Sequence, residues 1–195
     1  FWPSDNTDPI ERLFIQWGFS QVFPAKTMCA HVTTWNKNSS VKFRTDVAMM
    51  CKLGFDIKLA DMSKDDETYC RTAVQNYNRL KPVVLEGDMY RLVSPYGSNH
   101  TSTMYVGKDK DKAVVFAFDI HPRYAEKTLP VRLQGLDADK MYRVKEINLM
   151  PGANSSLSGN GEVFSGEFLM NVGLNLFTTC LLYTSPSPRD ISGSR

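Results

Sequence analysis

Apolar residues recur through the first third of the chain at the spacing of amphipathic helices. Ile10, Leu13, Phe14 and Trp17 stand at i, i+3, i+4 and i+7, which predicts a helix over residues 9–19 with one buried face. Asp8 is placed to cap it, Pro9 suits the first helical position, and Glu11 follows three residues after the cap. Arg12, four residues beyond Asp8, can pair with it along the helix surface. Residues 21–23 read as a short buried strand ended by Pro24. Phe43, Val47, Met50 and Gly54 share one face of a second helix over residues 41–53, with Gly54 as its stop. Residues 55–59 alternate apolar and charged side chains, as a short strand does. Ser63 then caps a third helix whose stripe is Tyr69, Ala73, Tyr77 and Leu80, and Pro82 marks its end.

Past Pro82 the helical period is lost. Residues 113–118 form a continuous apolar run after a hairpin-like turn at 107–112. Leu129, Val131 and Leu133 alternate, a turn follows at 135–140, and Tyr142 and Val144 continue on another strand. Met170, Val172, Leu174 and Leu176 alternate with polar or small neighbours. The Gly-rich stretch 158–168 reads as a turn between strands. Short strands separated by turns predict an antiparallel β region. The expected fold class is therefore α/β followed by all-β, with a boundary between Leu80 and Asp88 and domains at 1–81 and 86–179.

The chemistry concentrates in WPSDNTDPIER, Trp2 to Arg12, where two aspartates precede a well-signalled helix beside an aromatic residue. On spacing alone, Asp5 is a solvated loop carboxylate and Asp8 a helix cap. The same run continues into LFIQWGFSQVFPAKTMCAHV (13–32) and FRTDVAMMCKLGFDI (43–57). Together these segments resemble the C-terminal part of the family 36 glycoside hydrolases, the bacterial α-galactosidases, and the likeness covers residues 1–179. It implies the end of a (β/α)8 catalytic barrel followed by a C-terminal antiparallel β-sandwich. It also implies hydrolysis of terminal α-linked galactose from oligosaccharides with retention, by an acid/base and a nucleophile about 5–5.5 Å apart. By position in the W-x-S-D motif, the acid/base is Asp5, and such a group has to enter the reaction protonated. Trp2 would give it a partly desolvated setting. The nucleophile and the other galactose-binding residues are implied to lie upstream of Phe1, so that this piece is inactive alone and its orphaned strand edges make it unstable. His31, in TMCAHV, reads as a structural histidine. Cys29 and Cys51 stand where relatives have glycine.

Composition narrows the rest. A formal charge of +2 without a basic run gives no reason for nucleic acid or an anionic membrane as partner. Three histidines and no CxxC spacing give no metal site, and the chemistry asks for no cofactor. The partner implied is an α-galactoside oligosaccharide, with a homo-oligomer open for the intact parent. Setting Cys180 aside, Cys29, Cys51 and Cys70 read as reduced thiols and favour a cytoplasmic home. Residues 180–195, CLLYTSPSPRDISGSR, break sharply from what precedes them and resemble translated sequencing adapter, or else a disordered Ser/Pro tail. The rival function is a non-catalytic β-sandwich module that binds carbohydrate or a partner. It requires a solvent-facing row of aromatics, for which Tyr90, Tyr105, Phe116, Phe118, Tyr124 and Tyr142 are candidates.

Overall fold

A computed structural model describes residues 1–35, 39–123 and 126–177. Tyr124 and the tail at 180–195 lie outside the described residues. The first helix, α1, spans Pro9–Phe19, and the Asp8 carboxylate accepts from the backbone N–H groups of Ile10 and Glu11 at 3.0 Å. There follow β1 (Cys29–Thr33), α2 (Val41–Ala48), β2 (Lys52–Asp56) and α3 (Lys64–Glu86). The strands β1 and β2 pair in parallel across α2, which makes a βαβ unit. Beyond Gly87 come β3 (Asp88–Val93), β4 (His100–Val106) and β5 (Ala113–Asp119), an antiparallel sheet in that order. A two-stranded antiparallel ribbon, β6 (Met141–Arg143) with β7 (Val163–Ser165), and a short α4 (Gly166–Asn171) complete the described elements.

Several expected elements are displaced, each for a physical reason. Residues 21–23 are an exposed turn rather than a strand, since their N–H groups return to the Gly18 and Phe19 carbonyls at the end of α1. The strand sits instead at β1, in the TMCAHV run. The second helix stops at Ala48, and Gly54 lies within β2, opposite His31. The strand expected at 55–59 therefore begins three residues early. The third helix runs through Pro82 to Glu86. Pro82 is exposed there, while Val83 and Val84 on the next positions are buried, and that burial offsets the missing backbone bond. Finally, Met170 belongs to α4, whose start Ser165 caps by accepting from Phe168 N–H at 3.1 Å, and Val172 is half exposed. Leu174 keeps a strand-like contact, a bridge to Val131.

The sheet is covered on both faces, and β4 is buried at every residue. Side chains alternate across a strand, so its two faces serve two cores. Tyr105, with Val114, Phe116 and Phe118 on β5, joins Leu13, Val47, Ala73 and Tyr77 in a core shared with the helices. Met104 and Val106 pack on the opposite side with Leu133, Leu136, Leu169 and Leu174. Two polar links lock the layers. The Tyr105 hydroxyl donates to the Met50 carbonyl at 2.9 Å. Asn148, buried and in the left-handed region at φ 57°, donates to Asp46 at 2.8 Å and accepts from Asn76 at 2.6 Å. Asp46 also accepts from the Tyr69 hydroxyl at 3.1 Å and from Lys42 at 2.5 Å.

Removing the Tyr105 hydroxyl strands the buried Met50 carbonyl, so Tyr105→Phe is expected to destabilise the fold by about 1–3 kcal/mol. Urea unfolding checks this; an unchanged midpoint would show that the link contributes nothing.

Candidate active site

The loop between Trp2 and Asp8 is built by its own polar side chains. Ser4 Oγ accepts from Asn6 N–H at 3.1 Å, and Asn6 Oδ1 accepts from Asp8 N–H at 2.9 Å. Asp8 then caps α1, so a chain of i, i+2 bonds leads directly into the helix. Asp5 stands between these anchors, exposed, and has no hydrogen-bond partner among the described residues. The desolvated setting expected beside Trp2 is not what surrounds it.

Arg12 fixes the loop from beneath. Its side chain is buried, at 3% exposure. Nη1 donates to the Ser4 carbonyl at 3.2 Å and reaches that of Asn6 at 3.5 Å, so it grips the chain on both sides of Asp5. Nη2 donates to the Cys29 carbonyl at 3.3 Å, and Nε lies 3.4 Å from Gln16 Oε1. Gln16 in turn donates to the Val47 carbonyl at 3.0 Å. The guanidinium also sits 5.7 Å from the centre of the Trp2 ring. Burial lowers its pKa from the ordinary arginine value. The expected Asp8–Arg12 pair does not form, because the Asp8 carboxylate is occupied by helix N–H groups and Arg12 turns toward β1. The most buried face of α1 accordingly carries Arg12 and Gln16 beside Pro9 and Leu13.

Trp2 packs against His31 with ring centres 3.9 Å apart and planes at 48°. Gly54 makes room for that histidine, since a Cβ there would lie 2.2 Å from His31 Cδ2. Desolvation lowers the His31 pKa; nearby Asp56 opposes the shift and Arg12 adds to it. These surroundings agree with a structural histidine. Thr33 closes the far end by donating to Thr7 Oγ1 at 3.1 Å, and Arg44 donates to the Thr33 carbonyl. Phe1 runs beside the start of β1: its carbonyl accepts from Cys29 N–H at 3.0 Å, and its amino group donates to the Thr27 carbonyl at 2.6 Å. Cys51 is buried and its thiol pKa is pushed up to about 12, while Cys29 is partly accessible.

The site therefore unites Trp2, Asp5, Arg12, His31 and Gly54. Trp2, Asp5 and His31 stand out in the sequence, whereas Arg12 reads there as a surface pair and Gly54 as a helix end. A helix stripe containing Arg and Gln at positions 12 and 16 was the available signal, because polar residues on an otherwise apolar face need buried partners.

Residues 1–87 match the family described as melibiase, and residues 100–191 match the glycosyl hydrolase family 36 C-terminal domain. The chain is a family 36 α-galactosidase-like region. Among its relatives, alpha-galactosidase 2 of Hypocrea jecorina is 36% identical over 179 residues, which cover 89% of this chain and 22% of that protein. Alpha-galactosidase 1 of Pediococcus pentosaceus is 30% identical over 177 residues, 88% of this chain and 22% of that protein. The likeness thus extends to fungal as well as bacterial enzymes. A variant of the Geobacillus stearothermophilus GH36 α-galactosidase AgaA, solved in complex with stachyose, superposes with a TM-score of 0.78 at 30% identity, covering 91% of this chain and 24% of that one. The Lactobacillus brevis α-galactosidase gives 0.79 at 26% identity, over 95% and 24%. The chain spans less than a quarter of the length of these relatives.

Two outcomes follow from this geometry. Arg12→Leu leaves the Ser4, Asn6 and Cys29 carbonyls without their donor, and is expected to cost about 3 kcal/mol and to speed amide exchange across residues 4–8. Hydrogen-exchange mass spectrometry reads it; unchanged exchange there would remove Arg12 as the clamp. His31 holds its proton less tightly folded than unfolded, so the unfolded state binds more protons as pH falls. Its contribution to stability is full above about pH 6.5 and declines as pH drops through that value toward the lowered folded pKa. His31→Gln should flatten this part of the denaturation midpoint against pH between about 7 and 5; an unaltered profile would assign the slope to other groups.

Proposed function

We propose that this chain is the part of a retaining α-galactosidase that supplies its acid/base, Asp5. The observation that carries the reading is the clamp: Arg12 pins the carbonyls on both sides of an otherwise unengaged carboxylate, next to Trp2 and at the exit of parallel β structure. In barrel enzymes, catalytic groups stand on loops after the carboxyl ends of strands. The position of Phe1 and Trp2 alongside β1 suits the end of a third parallel strand, with Asp5 on the loop that leaves it. Residues 1–81 are then the last part of a (β/α)8 barrel, and 86–179 a C-terminal β-sandwich domain.

Asp5 would give its proton to the departing glycosidic oxygen. It would then take one from the water that attacks the glycosyl-enzyme intermediate. Exposure suits the second step, since water has to arrive at the same carboxylate. Asp8 is engaged as a helix cap and is not offered as nucleophile. That carboxylate is supplied by a part of the parent enzyme outside these residues, and the chain alone is inactive. The substrate class is terminal α-galactosides of oligosaccharides; stachyose is the ligand of the AgaA complex.

The rival binding module has less support. Tyr105, Phe116 and Phe118 are buried in the core, and the Tyr142 hydroxyl is engaged with the Lys110 carbonyl at 2.7 Å. They form no exposed row among the described residues.

The test is made on the parent enzyme. Asp5→Ala is expected to lower hydrolysis of an unactivated galactoside such as raffinose by about 10²–10⁴-fold. An aryl galactoside with a good leaving group should lose much less in the first step. Added azide should restore turnover by attacking the intermediate without needing a base. An Asp5→Ala enzyme that keeps full activity on raffinose would overturn the assignment.

A further inference from the structure

A second concavity lies on the side of β1–β2 away from Trp2. Successive residues of a strand face opposite ways, so His31 meets the Trp2 ring while Val32 lines the other side. There a cavity of about 520 Å³ opens between the starts of α2 and α3 and the segment 146–156. That volume is ordinary for a small-ligand site, roughly 300–1,000 Å³. Its floor is apolar, with Val32, Val41, Ile57 and Met150. Its rim carries Arg44, Asp61, Asp66, Glu146 and Asn154. The wall at 146–156 is not a loose loop, because Asn148 ties it to Asp46 on α2 and Asn76 on α3.

We propose that this cavity binds a neutral oligosaccharide, at a site separate from the loop that carries Asp5. The polar groups select the class. Lys42 also lines the cavity, but it is neutralised by Asp46 at 2.5 Å. Arg44 is engaged with the Thr33 carbonyl and, at 3.5 Å, with that of Ser40. Glu146 accepts from Ser155 at 2.5 Å. The Asp61 and Asp66 carboxylates have no hydrogen-bond partner among the described residues. Asp61, Asp66 and Glu146 outnumber the Arg44 guanidinium, which already feels the Asp66 charge, and this balance repels phosphate or sulfate. Free carboxylate oxygens above an apolar floor match a ligand that donates many hydroxyl hydrogens and presents C–H faces. A sugar has both, and its C–H faces can rest on Ile57 and Met150. Binding there does not require Asp5.

The experiment is NMR of the uniformly ¹⁵N-labelled chain titrated with stachyose. Saturable shifts are expected at Thr34, Asp61 and Asn154, whatever happens at residues 2–8. Ala153→Trp, at an exposed position on the cavity mouth, should abolish those shifts. Asp61→Asn combined with Asn154→Ala should weaken them by about tenfold or more, and both changes are at exposed positions that leave the fold intact, as circular dichroism would confirm. Absence of shifts at these three residues would overturn the proposal, as would shifts that persist in Ala153→Trp. Tighter binding of spermidine than of stachyose would also overturn it, by making this a cation site. Shifts confined to residues 2–8 would do the same while leaving the Asp5 reading standing.

Discussion

The buried guanidinium of Arg12 is the constraint on which the Asp5 loop depends. Taking an arginine out of water is costly unless its N–H groups find acceptors. Here they are backbone carbonyls from the loop and from β1, together with a glutamine on the same helix. Among the described residues no carboxylate is hydrogen-bonded to it, and the charge is met by dipoles that belong to fixed pieces of backbone. The loop cannot drift from α1 without leaving a buried donor unpaired. Asp5 therefore inherits its place from a neighbour and contributes little to holding the loop.

A second dependency runs through the sheet. The helical part does not complete a core by itself: its apolar faces close on Tyr105, Val114, Phe116 and Phe118 of β4 and β5. The other face of the same strands closes on the loops and helix around Leu133 and Leu169. Because β4 is buried on both sides, its register transmits the position of one layer to the other. Tyr105 and Asn148 then convert apolar contact, which tolerates sliding, into directional bonds, which do not. The frame behind β1 is rigid for that reason, and β1 is what Trp2 and Arg12 lean on.

Local chemistry was legible in the sequence, and long-range pairing was not. Asp8 and Ser63 cap the helices they were expected to cap, and the hairpin turn falls at 107–112, because these features depend on residues a few positions apart. Residues 47, 50 and 54 also fit a helical period, yet Gly54 is claimed by β1, a partner more than twenty residues away. Pro82 signals a stop locally, but burial of Val83 and Val84 carries the helix past it. Alternation at 170–176 looked like a strand until the Ser165 cap committed Met170 to a helix. Arg12 shows the same limit within the site. Its spacing to Asp8 suggested an ion pair, while its true partners lie on backbone that no side-chain pattern records. Asp5 became a candidate through the likeness of its motif, since spacing alone made it an ordinary loop carboxylate.

The alternation of β1 explains why one short strand can support the Asp5 loop and a packed interior together. Ala30 and Val32 are almost fully buried against the helices, which fixes the strand in depth. His31 and Thr33 face the other way, and their side chains meet Trp2 and Thr7. A one-residue slip would exchange these sets, placing a histidine in the helix core and a valine under Trp2. Gly54 on β2 favours this register, because a Cβ opposite His31 would lie 2.2 Å from its ring. The register of β1 and β2 is thus set twice, by the apolar face behind and by the fit of His31 in front. The loop carrying Asp5 rests on the second of these.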